Sequence, residues 1–309
     1  MNPYLQDLTI RLAIGIAALD EPTRKRHAKF LLNKQREDGG FAGREGESDL
    51  YYTGFALRSL GILGELYGEP AERSAEFLRN RLTGHETIID FVSLIYGAAL
   101  LETSAGIDIF EDLSESWRDN VANTLESLRR DDGGYAKAPE GNISSTYHSF
   151  LVLICRELIE RPIPSQTGLI DFIESQRAES GGFLEIKAGK RAGTNPTAAA
   201  IGVLKSLGAI TDDIRDETTH FLLQMQTDEG GIRANTRIPI ADLLSTFTGL
   251  LTLQDLDAGD NIDKRSIRRF TNSLQNRDGG FMAAAWDEVC DVEYTFYGLG
   301  VLALLADHE

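Results

Sequence analysis

A glycine pair followed by an apolar residue recurs five times along this chain, beginning at Gly39, Gly133, Gly181, Gly230 and Gly279. The last three intervals are 48, 49 and 49 residues, and the first is 94, about twice as long. Self-similarity at such a period means that one supersecondary unit is stacked on copies of itself, each burying a face its neighbour completes. A degenerate copy is therefore expected in the long interval. LTGHETIIDFVSLIYGAALLE fits it, having lost the glycine pair but kept an apolar helix.

Each unit reads as two helices. Apolar members are expected near residues 49–62, 87–101, 145–158, 196–207, 242–253 and 292–305. Amphipathic members are expected near residues 23–35, 72–82, 115–129, 167–176, 214–226 and 264–275, with a further leading helix over 5–19. Pro22 suits a first helical turn. Glycine after a helix supplies the left-handed conformation that ends it, as at Gly39 and Gly64. A helix apolar on most sides is buried on most sides, so the apolar members form an inner layer and the amphipathic ones an outer layer. Each apolar helix carries a hydroxyl near its start: Thr53, Ser93, Ser149, Thr197, Thr246 and Thr295. It lies 14 residues after the first glycine in the first copy and 16 in the other four marked copies. Six helix pairs in register, almost without strand signals, predict an all-α, closed (α/α)6 toroid, a single domain over residues 1–309. All inner helices would start at one end, so function is sought at the mouth formed there.

The net charge of -17 argues against nucleic acid or an anionic membrane as main partner, since both require a basic footprint. No apolar run is read as long enough to span a bilayer. Two cysteines, Cys155 and Cys290, and the absence of a signal-like stretch in MNPYLQDL point to reduced thiols and a cytoplasmic location.

Gln35, Gln226 and Gln275 each stand four residues before their glycine pair. This Gln-x-x-x-Gly-Gly pattern, followed by a helix, resembles the repeats of protein prenyltransferase β subunits and squalene/hopene-type cyclases. The first unit, GGFAGREGESDLYYTGFALRSLGILG, especially resembles the Rab-type geranylgeranyltransferase β subunit. The resemblance covers nearly the whole chain and implies an isoprenoid diphosphate in a central cavity and a helical α-subunit partner. It also implies a zinc held by Asp-x-Cys in repeat five and His in repeat six. Those positions fall on Asp242, Leu244 and Tyr294. Leucine has no donor atom and neutral tyrosine is a poor zinc ligand, so no metal or other cofactor is expected. A rebuilt site from Asp242, Cys290, Asp291 and Glu293 stays open. So does a plainer reading, in which Asp49, Asp242 and Asp291, each four residues before its hydroxyl, are helix N-caps. The cyclases' acidic motif falls on GTNPTA, where Asn195 and Pro196 occupy the acid positions, against a terpene cyclase.

The family's diphosphate residues are not kept one for one: they fall on Thr236, Pro239 and near Gly193. The same loops still carry Lys187, Lys190, Arg191, Arg233 and Arg237, cations suited to a diphosphate. Tyr52, His148 and Tyr294 are further candidate ligand contacts. The expected function is a prenyltransferase β-like protein binding an isoprenoid diphosphate, and, if an enzyme, a transferase without the usual zinc chemistry. The alternatives are a noncatalytic scaffold, or a carbohydrate-active (α/α)6 enzyme using Asp90, Asp242, Asp287 and Asp291.

Overall fold

A computed structural model describes residues 3–82, 87–114 and 116–306. Residues 83–86 of the degenerate repeat and Glu115, expected in the third outer helix, lie outside the described residues. The described chain forms two compact units, cut within two outer helices.

One unit comprises Tyr4–Trp117 and the chain from Thr271 onward. It contains α1 (Tyr4–Ala17), α2 (Glu21–Leu32), α3 (Leu50–Leu63), α4 (Gly68–Arg79) and α5 (Ile88–Ala105). The other unit, Arg118–Phe270, takes in most of α6 (Trp117–Glu126), then strands β1 (Tyr135–Ala136) and β2 (Ser144–Ser145), α7 (Thr146–Leu158), α8 (Gln166–Ser175), α9 (Thr194–Ser206), α10 (Asp212–Leu223), α11 (Leu243–Asp255) and most of α12 (Lys264–Ser273). The last helix, α13 (Val292–Leu304), belongs to the first unit.

Each unit has the same plan. In the first, the inner helix α3 packs between α13 and α5, with α2 and α4 outside. In the second, α9 packs between α7 and α11, with α8 and α10 outside. The last repeat thus packs directly on the first, and α1 lies against both α3 and α13. By length and composition α5 could cross a membrane, contrary to the sequence reading: it has 18 residues of mean hydropathy 1.5. More than half of it is buried, and it packs on α3 and α4, as a core helix does.

The structure explains the register hydroxyls. The backbone N–H after each glycine pair donates to one of them: Phe41 to Thr53 at 2.8 Å, Tyr135 to Ser149, Phe183 to Thr197, Ile232 to Thr246 and Phe281 to Thr295. A buried N–H left unpaired would cost about 1–3 kcal/mol, so each hydroxyl ties its loop to its inner helix. The same residues bridge the end of the outer helix, as in Gln35 to Phe41, and usually the cap of the inner one, as in Phe41 to Asp49. The motif glutamines reach the next outer helix. Gln35 Nε2 donates to the carbonyls of Gly39 and Pro70, and Gln226 Nε2 to those of Gly230 and Asp263.

The second glycine of each pair lies against a phenylalanine of the following outer helix: Phe77, Phe172, Phe221, Phe270 and, for Gly280, Phe30 of α2. Beside these, Ser74 and Thr218 bond the glycine carbonyls of Gly39 and Gly181. At the joint between the last and first repeats the corresponding residue is His27, whose Nδ1 accepts from Gly280 N at 3.0 Å. His27 is fully buried and stacked on Phe281. Burial, then Arg26, pushes its pKa down to about 4. The unfolded chain therefore takes up a proton near pH 6.5 that the folded one refuses until about pH 4. Stability should be complete above the upper value and fall by about 2 kcal/mol between pH 7 and pH 5. Urea titrations across that window should show the slope in the wild type and a flatter profile in His27→Gln.

Candidate functional site

In the first unit the loops of repeats one and six meet over the inner helices. Asp49 caps α3 by accepting from Tyr52 N at 2.7 Å, and Asp291 caps α13 by accepting from Tyr294 N at 2.9 Å. Asp291 has a second partner: Arg44, in the loop after Gly39–Gly40, donates from Nε at 2.9 Å. The Arg44 fork also bonds both oxygens of Asp287, with Nη1 to Oδ1 at 3.0 Å. The two carboxylates are 5% and 4% exposed, the arginine 38%. Burial raises the Asp287 carboxyl, but Arg44 together with the backbone N–H bonds of Val289 and Ala283 leaves the group below its ordinary value.

One residue into its first turn, α13 presents Glu293. Tyr51 Oη donates to it at 2.8 Å, and Tyr297 also bonds it. Burial still leaves Glu293 above the ordinary carboxylate range. Below this group the rings are continuous. Phe55 lies 5.0 Å from Tyr51, 5.7 Å from Phe296 and 5.4 Å from Tyr297. Tyr52 joins through Tyr51 at 5.3 Å and Tyr294 through Tyr297 at 6.0 Å. Tyr52 also lies close over Gly43, where a Cβ would come within 2.5 Å of its Cζ. Both tyrosines expected at the site therefore belong to one aromatic wall.

In the second unit, Ser145 caps α7 and its hydroxyl lies between Glu185 and His148. With Glu185 ionised, the hydroxyl proton goes to that carboxylate. His148 Nδ1, 2.8 Å from the same oxygen, must then be the ring nitrogen that carries hydrogen. Its Nε2 is left as a bare lone pair, buried without a partner among the described residues. Burial, then Lys137, lowers the pKa of His148 and favours this neutral form.

The basic loops of repeats four and five lie side by side. Thr194, at the start of α9, donates from Oγ1 to Arg233 O at 2.6 Å and from N to Ala234 O at 2.8 Å. Thr146 makes the equivalent tie from α7 to Leu184 O and Glu185 O. Two of the five cations turn to their own outer helices: Lys187 donates to Ser175 O and Arg233 to Gln224 O. Lys190, Arg191 and Arg237 are exposed, with no side-chain partner among the described residues.

The carboxylates considered for other chemistries are already engaged. Asp90 reciprocates with Thr87 in a capping box. Asp242 caps α11, accepting from Ser245 N at 2.7 Å and Ser245 Oγ at 2.8 Å. The cap reading of Asp49, Asp242 and Asp291 is what the structure shows. At the family's zinc positions the donor set does not fit the ion, with Leu244 beside a capping aspartate in α11 and Tyr294 packed on Tyr297 in α13. Cys290 offers no ready thiolate, because burial, then Asp291 and Asp287, pushes it up to about 11. Among the described residues no three of His, Cys, Asp and Glu gather to hold a metal.

Sequence reasoning named Glu293 only as part of a possible rebuilt metal site and did not foresee its bonds with Tyr51 and Tyr297. The signal was available two residues before each register hydroxyl: Tyr51, Phe91, Tyr147, Asn195, Leu244 and Glu293. The last is the only acid of that set. Nothing local in the sequence announces Arg44 with Asp287, since they are 243 residues apart.

Residues 8–92, 94–234 and 197–309 match the family described as the Prenyltransferase alpha-alpha toroid domain. The chain belongs to this prenyltransferase toroid family. Its fold class is accordingly the all-α toroid that the repeats predicted. The geranylgeranyl transferase type-1 β subunit of Arabidopsis thaliana is 24% identical over 263 residues, 79% of this chain. The chain spans 66% of the length of that relative. Among solved structures, Candida albicans protein geranylgeranyltransferase-I complexed with GGPP superposes with a TM-score of 0.75 at 16% identity, over 91% of this chain and 90% of that one. The type II terpene cyclase MstE from Scytonema superposes with a TM-score of 0.63 at 16% identity, over 96% and 98%.

Proposed function

We propose that this toroid protein binds an isoprenoid diphosphate with its head on the basic loops of repeats four and five. The observation that carries this reading is the pair of loops tied through Thr194, which present Lys190, Arg191 and Arg237 without competing carboxylates among the described residues. Family membership supports the lipid: the structural relative above is a geranylgeranyltransferase complexed with GGPP. Charge-assisted bonds from such cations match a diphosphate. If the protein turns over, the same cations would stabilise charge on the departing diphosphate, without the thiolate–zinc chemistry whose donor set is missing here. A helical α-like subunit is the partner that the β-subunit relative suggests.

Calorimetry with geranylgeranyl diphosphate tests the head site. The triple variant Lys190→Ala, Arg191→Ala, Arg237→Ala should bind about tenfold more weakly, a modest loss for three exposed cations, with an unchanged thermal midpoint. Equal affinity would remove these loops from the site.

A further inference from the structure

Arg58 lies on the inner helix α3, seven residues and about 10 Å along the axis from Tyr51. Tyr51, Phe55 and Arg58 follow the i, i+4, i+7 spacing that lines one helix face. The Arg58 guanidinium carbon sits 4.9 Å from the Phe55 ring centroid and 5.0 Å from that of Tyr96. Tyr96 is itself held in place, because its hydroxyl bonds Leu5 O and Thr9 of α1. Two aromatic rings attract the cation but offer no lone pair to its five N–H donors. Among the described residues Arg58 has no carboxylate and no hydrogen-bond acceptor. Arg58 is half-buried. Arg44, Arg129, Arg161, Arg177 and Arg215 have acid partners, and the half-buried Arg26, Arg130 and Arg233 bond amide or carbonyl oxygens instead.

We propose that Arg58 is the anion-binding end of a ligand site on the α3–α13 wall, taking the oxyanion, carboxylate or phosphate, of an otherwise apolar ligand. Phe55 connects this cation to the wall, since its ring also meets Tyr51, Phe296 and Tyr297. An apolar body along those rings would run from the Tyr51–Glu293 pair at one end to the guanidinium at the other. The planar fork suits a two-oxygen acceptor better than an ammonium does. This site is separate from the cationic loops of repeats four and five. It rests on the proposed function only for the isoprenoid nature of the apolar body.

Three probes of equal tail separate the possibilities by calorimetry: geranylgeranoic acid, geranylgeraniol and geranylgeranyl diphosphate. The wild type should bind the acid at least tenfold more tightly than the alcohol, and Arg58→Gln should abolish that preference while leaving alcohol binding unchanged. Arg58→Lys, which keeps charge and ring contact, should retain part of it and serves if the glutamine variant fails to fold. Should the diphosphate probe weaken in Arg58→Gln but not in the triple loop variant, the head site of the preceding section is wrong and this one stands. If the wild type binds acid and alcohol alike, or Arg58→Gln keeps the preference for acid, water alone solvates this arginine and the proposal falls.

Discussion

Gly39→Ala is expected to lower the unfolding free energy by about 4 kcal/mol, among the largest effects of any single methyl in this chain. Gly39 has a φ of +87°, where a side chain meets its own backbone, at about 1–2 kcal/mol. Its Cβ would also lie inside the carbonyl of Arg73, a rigid backbone group of α4. Gly46 separates the two contributions, having a φ of +92° and open space around a built Cβ. Gly46→Ala should therefore lose only the backbone part, about 1 kcal/mol. Chemical denaturation of both variants decides the matter. Equal losses would show that the glycine pair is required for its turn alone and not for the approach of the next repeat's outer helix.

Arg44→Ala is expected to cost about 3 kcal/mol at neutral pH. Removing one partner of a buried ion pair leaves its charge uncompensated, and here two carboxylates of 5% and 4% exposure lose their common cation. The lower end of the usual range applies because Arg44 is itself partly in water. The pH dependence carries a sign. With Arg44 present, Asp287 is held below its ordinary value, so its contribution is full at neutral pH and is lost as pH falls through the acid range. Without Arg44, burial is opposed only by the backbone N–H bonds of Val289 and Ala283, and the folded carboxyl is expected to titrate above the unfolded one. The variant should then lose stability as pH rises, and its deficit should shrink below about pH 4. Denaturant titrations at pH 4 and pH 7 would show this; a deficit independent of pH would mean that Arg44 acts by packing rather than charge.

Much of the fold could be read from residue spacing because its joints are local in sequence. The glycine pair, the N–H that follows it and the hydroxyl 14 residues after Tyr135 N close within one repeat. The aspartate caps of α3, α11 and α13 are equally local, each needing only a helix N-terminus three residues away. Membership in the toroid family follows from the same repetition. The site was less legible. Five cations were visible in the loops of repeats four and five, but not that Lys187 and Arg233 turn back to the ends of α8 and α10. That depends on which carbonyl is within reach, which composition does not record.

The sequence by itself determined the period and the two-layer character of each repeat, because each depends on residue type at fixed offsets. Only the tertiary structure decided that Arg44 lies against Asp287 and Asp291, that Tyr51 donates to Glu293, and that Arg58 lies between Phe55 and Tyr96 without an acid. Arg44 with Asp287, Tyr51 with Glu293 and Arg58 with Tyr96 join residues tens to hundreds of positions apart, on loops and helices that meet only once the inner layer has packed. A charge in a sequence has no partner until the fold supplies one.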